Sequence, residues 1–552
     1  QGDAGWWCAH PSFIEHGTDY RFRIDGEGPF PDPRSPWQPE GVHGPSRWVD
    51  HARFPWTDSG WQQPPLGSAL IYELHMGTFT PEGTFDAAVD YLDRLTELGV
   101  THVELMPVAE FSGERGWGYD GVDLYAPHHA YGGPEGLKRL VNACHQQGLA
   151  VVLDVVYNHL GPEGNYLHHF GPYFTRRYAT PWGEAVNLDG PGSDEVRRFF
   201  MDNALMWLRD YHMDGLRIDA VHAIVDTSAI HLLEQLTAEV EALEADLGRH
   251  LALIAESDLN DPRVVRPREV GGYGMDAQWN EDFHHALHAT LTGEQDGYYQ
   301  DFGTLADLTR VLTRGLVYDG RYSAYRRRRH GRPATGLSGH RFVACLQNHD
   351  QVGNRALGER TSHLLSPEQL QIGAALVLTS PFVPMLFQGE EWAASSPFLY
   401  FTDHQDPELG EAVKRGRREE FAAFSQSPHE IPDPQAEATF VKSKLNWNEI
   451  NKEPHDTIFD WYQSLIQLRR WFSAVLSDGR MERVSVRFDE TERWLIMIRG
   501  SVWVACNFSE ALQQIPCFHV QGKEVVLSSK NGVFVEDGAI LLPGESVAVL
   551  VG

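Results

Sequence analysis

Between residues 69 and 387, short apolar runs alternate with helical segments, and this alternation constrains the fold more than any other feature of the chain. The runs are ALIYELH (69–75), VELMPV (103–108), LAVVLDVV (149–156), GLRID (215–219), LALIAE (251–256), GMDAQW (274–279), FVACLQ (342–347) and FVPMLF (382–387). LAVVLDVV is apolar almost throughout, as a parallel strand covered on both faces must be. Between the first two runs, Phe85, Ala88, Val89, Leu92, Leu95 and Leu98 follow helical spacing and end at Gly99, a helix stop. Such alternation predicts an α/β fold with a parallel sheet. Eight strands predict a closed (β/α)₈ (TIM) barrel rather than an open doubly wound sheet, for which no glycine-rich phosphate loop is present.

The flanks read differently. Residues 1–65 are rich in Pro, Gly and Trp, with strand-like alternation at Tyr20–Ile24, and are expected to form a partial N-terminal β-sandwich. The barrel is expected over 66–477. WLIMIRG, VWVACNF, EVVLSS and AVLVG then predict a C-terminal β-sandwich over 478–552. The 552 residues exceed one compact core, in keeping with three units.

Lys and Arg total 46 against 77 Asp and Glu, a net charge of −31. That field repels phosphate backbones, so no nucleic-acid partner is expected, while a neutral sugar is unaffected. Five scattered cysteines, Cys8, Cys144, Cys345, Cys506 and Cys517, form no CxxC pair and suggest neither a disulfide framework nor zinc. No apolar stretch reaches a membrane span and no signal-like segment precedes the strands, so no membrane partner and a cytoplasmic location are expected.

Reactive residues of such barrels collect at the C-terminal ends of strands. Four strand ends here are polar: Asp154–His159, Arg217–His222, Glu256–Asp258 and Gln347–Asp350. Residues i and i+2 of a strand share a face, so Arg217 and Asp219 should sit side by side. A guanidinium beside a carboxylate favours the ionised form, which a glycosidase nucleophile needs. Glu256 ends the next strand, and a neighbouring negative charge raises its pKa, suiting it to proton donation. Two such carboxyls about 5–5.5 Å apart would act by double displacement with retention. His159, His222 and His349 could donate to sugar hydroxyls. Trp117 and Tyr119, in the Gly-rich loop GWGYDG, could offer rings to a pyranose face.

These strand ends resemble the α-amylase superfamily of glycoside hydrolases. DVVYNH (154–159), GLRIDAVH (215–222), IAESD (254–258) and QNHD (347–350) stand in that family's order. The resemblance implies Asp219 as nucleophile, Glu256 as proton donor and Asp350 as transition-state stabiliser. It also implies that Arg217, His159, His349 and Tyr119 line the sugar position next to the cut. His222 stands where many relatives carry Lys followed by His; here Ala223 follows, so subsites beyond the cut should differ.

Longer segments, among them ELHMGTFTPEGTF, RGWGYDGVDLYAPHHAYGGPEG, WNEDFHHALHATLTGEQDGYY and QNHDQVGNRALGER, resemble the malto-oligosyltrehalose trehalohydrolases within that superfamily. That family cuts the α-1,4 bond next to a terminal trehalose, which implies malto-oligosyltrehalose and related α-glucans as partners. Phe283, His284, Gln351 and Asn354 are then expected to read the trehalose end, and Asp282 and His285 to bind substrate in the same pocket. Glu281 departs from the family's Asp. The insertion at roughly 160–200 is short and poor in carboxylates, so no required metal and no cofactor are expected. A branching or transglycosylating enzyme would use the same three carboxylates. A barrel that only binds glycan should lack one of them.

Overall fold

The structure, a computed structural model, describes residues 14–180, 183–422, 431–517, 522–536 and 538–552. Cys8 lies outside them. Eight parallel strands close into a barrel in the order β4-β5-β6-β7-β8-β1-β2-β3. They are β1 (Ile71–Leu74), β2 (His102–Leu105), β3 (Ala150–Val155), β4 (Gly215–Ile218), β5 (Ala252–Ala255), β6 (Ala277–Trp279), β7 (Phe342–Cys345) and β8 (Val383–Phe387). Seven lie within the apolar runs, and β2 begins one residue before its run, at His102.

Strand alternation divides the side chains between two cores. Ile71, Val152, Ile254, Trp279, Val343 and Met385 fill the barrel interior. Tyr72, Leu74, Val151, Leu153, Leu216 and Ile218 face the helices outside. The interior positions of β3 and β4 nearest the mouth are Asp154 and Arg217, paired in register. Those of β1 and β2 are Glu73 and Glu104, also in register. The interior therefore changes from apolar to ionisable towards the C-terminal end of the strands, which makes a chemically active mouth.

The helical stretch expected over 85–98 is two helices, Phe85–Val89 and Leu92–Leu98. The break at Asp90–Tyr91 coincides with the Tyr91 ring packing on Trp447 at 4.6 Å, a contact from distant sequence.

The C-terminal unit comprises β9 (Val484–Asp489), β10 (Trp494–Arg499), β11 (Val502–Asn507), β12 (Gln513–Pro516), β13 (Glu524–Ser528), β14 (Phe534–Glu536), β15 (Ala539–Leu542) and β16 (Ser546–Val551). They form an antiparallel five-stranded sheet, β9-β10-β11-β16-β13, and a three-stranded sheet, β12-β15-β14. Ile496, Trp503, Ile515, Ile540 and Leu550 share one buried cluster spanning the two sheets, as in a β-sandwich. At the N-terminal side, Asp19–Tyr20 pairs with Ser46–Arg47, and Phe22–Ile24 with Glu27–Phe30. The chain then runs to the barrel, where Trp61 Nε1 donates to Asp214 at 2.8 Å. Among the described residues no helix is long and apolar enough to cross a membrane.

Candidate active site

The end of β4 organises the mouth. Arg217 is fully buried, and its Nη1 donates to Asp154 Oδ2 and to Asp219 Oδ1, each at 2.8 Å. Its Nη2 lies 3.7 Å from Glu256 Oε2, and its guanidinium carbon sits 4.2 Å above the Trp279 ring. One cation thus faces three carboxylates while an aromatic face backs it. Asp219 is also held from β3: Asn158 Nδ2 donates to its Oδ2 at 2.7 Å. With both oxygens engaged, the carboxylate has a fixed orientation.

Glu256 ends β5 and is buried. The N–H of Ala220 donates to its Oε2 at 2.6 Å. Ala220 adopts a left-handed conformation, φ 39° and ψ 52°, which an L-residue with a Cβ rarely does. Burial raises the Glu256 pKa above the usual carboxylate range; Arg217 opposes this, and Asp219 and Asp350 add to it. A carboxyl with a raised pKa is better suited to hand its proton to a leaving oxygen.

Asp350 comes from the short helix His349–Gly353 after β7, and its side chain is 44% exposed, the most open of the three carboxylates. His349 beside it is buried. Its Nδ1 pairs with Glu73 of β1, and its Nε2 lies 2.8 Å from the Tyr119 hydroxyl. That hydroxyl donates to Asp154 Oδ2 at 2.7 Å. With the phenol proton committed to Asp154, Nε2 must donate, so the ring carries both protons. Burial acts against that charge, but Asp350 and Glu73 outweigh it and hold the His349 pKa up at about 9. A chain of ion pairs and hydrogen bonds therefore links β1, β3, β4 and β7: Glu73, His349, Tyr119, Asp154, Arg217, Asp219. His159 pairs through Nδ1 with the Asn158 amide oxygen, behind the Asn158–Asp219 bond.

Asp219, Glu256, Arg217, Tyr119, His159 and His349 thus meet at one place, and Asp350 joins them through contact with His349. His222 is exposed on the rim after β4 and close enough to act electrostatically on Glu256 and Asp258. His285 is buried against the half-exposed Tyr298 ring at 4.9 Å. Asn354 is exposed and donates to Asp350 Oδ1 at 3.3 Å.

Other expected contact residues do structural work instead. Trp117 is not an open platform: it is 7% exposed, stacks on Phe398 at 5.3 Å and donates to the Leu399 carbonyl. Asp282 accepts from Asn260 Nδ2 and from the N–H groups of Val317 and Tyr318, so its Oδ2 pins a loop. Phe283 is fully buried against Phe382. His284 is buried between the Leu346 carbonyl and the Tyr299 hydroxyl. Gln351 Oε1 accepts from the Asn348 N–H in a capping box. Asp282, Phe283 and His284 follow a strand end in sequence, but the helix Glu281–Thr292 turns their side chains into the core.

Glu73, Asn158 and Trp279 are neighbours of these groups that the strand-end motifs did not mark as site residues. Glu73 carried one available signal: a carboxylate inside an otherwise apolar strand run.

An α-amylase catalytic-domain family model matches residues 51–178. The chain is 56% identical over 473 residues to the malto-oligosyltrehalose trehalohydrolase of Arthrobacter ramosus, covering 84% of this chain and 82% of that protein. It is 48% identical over 555 residues to the malto-oligosyltrehalose trehalohydrolase of Mycobacterium tuberculosis, covering 99% and 94%. A crystal structure of a putative alpha amylase from Salmonella typhimurium superposes with a TM-score of 0.90 at 39% identity, covering 98% of this chain and 91% of that one. With its carboxylates gathered at the mouth of a closed barrel, the chain belongs to the malto-oligosyltrehalose trehalohydrolase family of the α-amylase superfamily.

Proposed function

We propose that this protein hydrolyses the α-1,4 bond next to the terminal trehalose of malto-oligosyltrehalose, releasing trehalose and a malto-oligosaccharide. The observation that carries the reading is Arg217 held between two carboxylates with different surroundings. Asp219 has a 2.8 Å bond to the guanidinium; Glu256 lies 3.7 Å from it and is buried. Asp219 attacks the anomeric carbon as Glu256 protonates the glycosidic oxygen, breaking the carbon–oxygen bond and freeing the trehalose end. Water then loses a proton to Glu256, adds to the anomeric carbon and displaces Asp219, so the configuration is retained. Asp350 holds ring hydroxyls and stabilises the oxocarbenium-like state. Tyr119, His159, Arg217 and His349 surround the reacting sugar, with His222, His285 and Asn354 on the trehalose side.

The barrel unit, 66–477, carries this reaction in our reading, with 1–65 and 478–552 as flanking units. A cytoplasmic site of action fits the four described cysteines, all free and buried.

The test is product analysis on malto-oligosyltrehalose and on plain malto-oligosaccharide. Rapid trehalose release from the first and slow cleavage of the second is expected. Equal cleavage of both would reject the assignment, and new α-1,6 bonds would favour a branching transferase. Glu256→Gln should lower kcat by ~10²–10⁴-fold, the usual contribution of a positioned acid.

A further inference from the structure

We propose that Glu110, His128 and His129 form a binding site for one divalent transition-metal ion of the zinc class. The ligand atoms available from these three side chains lie within 4.8 Å of one another, the one such group among the described residues. Glu110 ends the short strand Ala109–Glu110, which pairs with Asp123–Pro127; His128 and His129 follow that second strand directly. The antiparallel ladder therefore places residues far apart in sequence at one end of the same pair.

His128 points to a ligand independently of the cluster. It is fully buried, yet neither ring nitrogen makes a hydrogen bond. Its Nδ1 is aimed at Glu110 Oε2 at 3.3 Å without the alignment of a hydrogen bond. An orphaned imidazole costs free energy unless something occupies its lone pair. The Phe111 ring, stacked on it at 3.8 Å, fixes the orientation. Asp123, opposite Glu110 in the ladder, also leaves Oδ2 buried without a hydrogen bond.

The site has an entrance. His129 is 25% exposed and borders a cavity of about 430 Å³ whose lining includes the carboxylates Glu40 and Glu114. Its Nδ1 now lies 2.6 Å from Glu110 Oε1. Around a tetrahedral ion with bonds near 2.0–2.1 Å, ligand atoms stand about 3.4 Å apart. The contact must open by under an ångström, which rotation of the His129 ring supplies. Two imidazoles and one carboxylate suit zinc-class ions rather than calcium, which takes oxygen ligands. Three protein ligands leave a fourth position for water. An ion here would tie the base of the 111–122 loop, which carries Tyr119 to the barrel mouth.

The test uses the full chain, stripped with a chelator and titrated with Zn²⁺, with Co²⁺ as the spectroscopic probe. One equivalent per chain, a rise in Tm, and the visible d–d bands of four- or five-coordinate Co²⁺ are expected. His129→Ala and Glu110→Gln should each weaken binding at least ~10-fold, since even outer-shell changes have effects of that size. Glu110→Gln serves as the second variant should the other fail to fold. Less than one equivalent on the unaltered chain overturns the proposal and leaves Glu110–His129 a plain ion pair. So does binding that neither substitution changes, which would mark adventitious coordination by surface histidines.

Discussion

The N–H of Ala220 donates to Glu256 Oε2 at 2.6 Å, so the residue after one carboxylate positions the other. The bond exists because Ala220 is held left-handed at φ 39°, turning its amide towards β5. A Cβ in that region costs roughly 1–2 kcal/mol, and a β-branched side chain costs more. Ala220→Gly should therefore keep kcat/KM within about twofold, while Ala220→Val should lower it at least ~10-fold, the equivalent of about 1.4 kcal/mol. Equal activity in the two variants, each checked for a native melt, would refute this role.

Gly353 closes the helix that carries Asp350. A Cβ built there would stand 2.0 Å from Cζ2 and 2.1 Å from Cη2 of Trp117, so helix and indole touch with no spare room. Gly353→Ala must displace one of them. A shift near 1 Å at a catalytic group reduces turnover by up to ~10²-fold, so kcat should fall 10- to 100-fold. Adding Trp117→Phe removes the obstructing atoms and should restore part of the loss. Wild-type kcat in Gly353→Ala alone would show that this contact does not position Asp350.

His349 links pH to stability. Its pKa is raised to about 9 in the folded chain, above the 6.5 of a free imidazole, because Asp350 and Glu73 overcome its burial. A raised pKa stabilises the fold fully below pH 6.5, and that contribution disappears as pH climbs through about 9. The amount is on the order of 3 kcal/mol, at 1.36 kcal/mol per unit. Urea unfolding from pH 6 to 10 should show this decline in the native chain and a much flatter profile in His349→Asn. Parallel profiles would mean that another group titrates.

At the opposite end of the barrel, Asp58 Oδ2 accepts from His145 Nδ1 and His212 Nδ1, both at 2.8 Å, and His145 Nε2 reaches Asp214 at 2.9 Å. Burial works against the Asp58 charge, but the two histidines hold its pKa down to about 2. A depressed carboxyl stabilises above its ordinary 3.8, and the contribution vanishes as pH falls towards 2. Asp58→Asn takes from His145 and His212 the carboxylate they share and should remove on the order of 3 kcal/mol at neutral pH. Because the cluster lies at the N-terminal ends of the strands, kcat should not change. A variant that melts like the parent, or that melts normally but loses turnover, would contradict this division of roles.

The barrel was legible in the sequence because its strands are apolar on both faces and are separated by helical periodicity. All eight strands coincide with those runs, β2 starting one residue early at His102. The proposed catalytic carboxylates were legible for a related reason: Asp219 and Glu256 end two of those runs, and Asp350 follows a third within three residues. Local pattern is enough when the pattern itself reports burial.

The tertiary structure decided everything that depends on which way a side chain points after its strand ends. Trp117, Asp282, Phe283 and His284 follow strand ends in sequence, yet packing buries them, and capping engages Gln351. Glu73 lies 276 residues from His349 and meets it through barrel closure, which brings β8 beside β1. The left-handed turn at Ala220 likewise appears in no composition or period. Periodicity records which residues must leave water; direction, register and closure arise only when the strands have found one another.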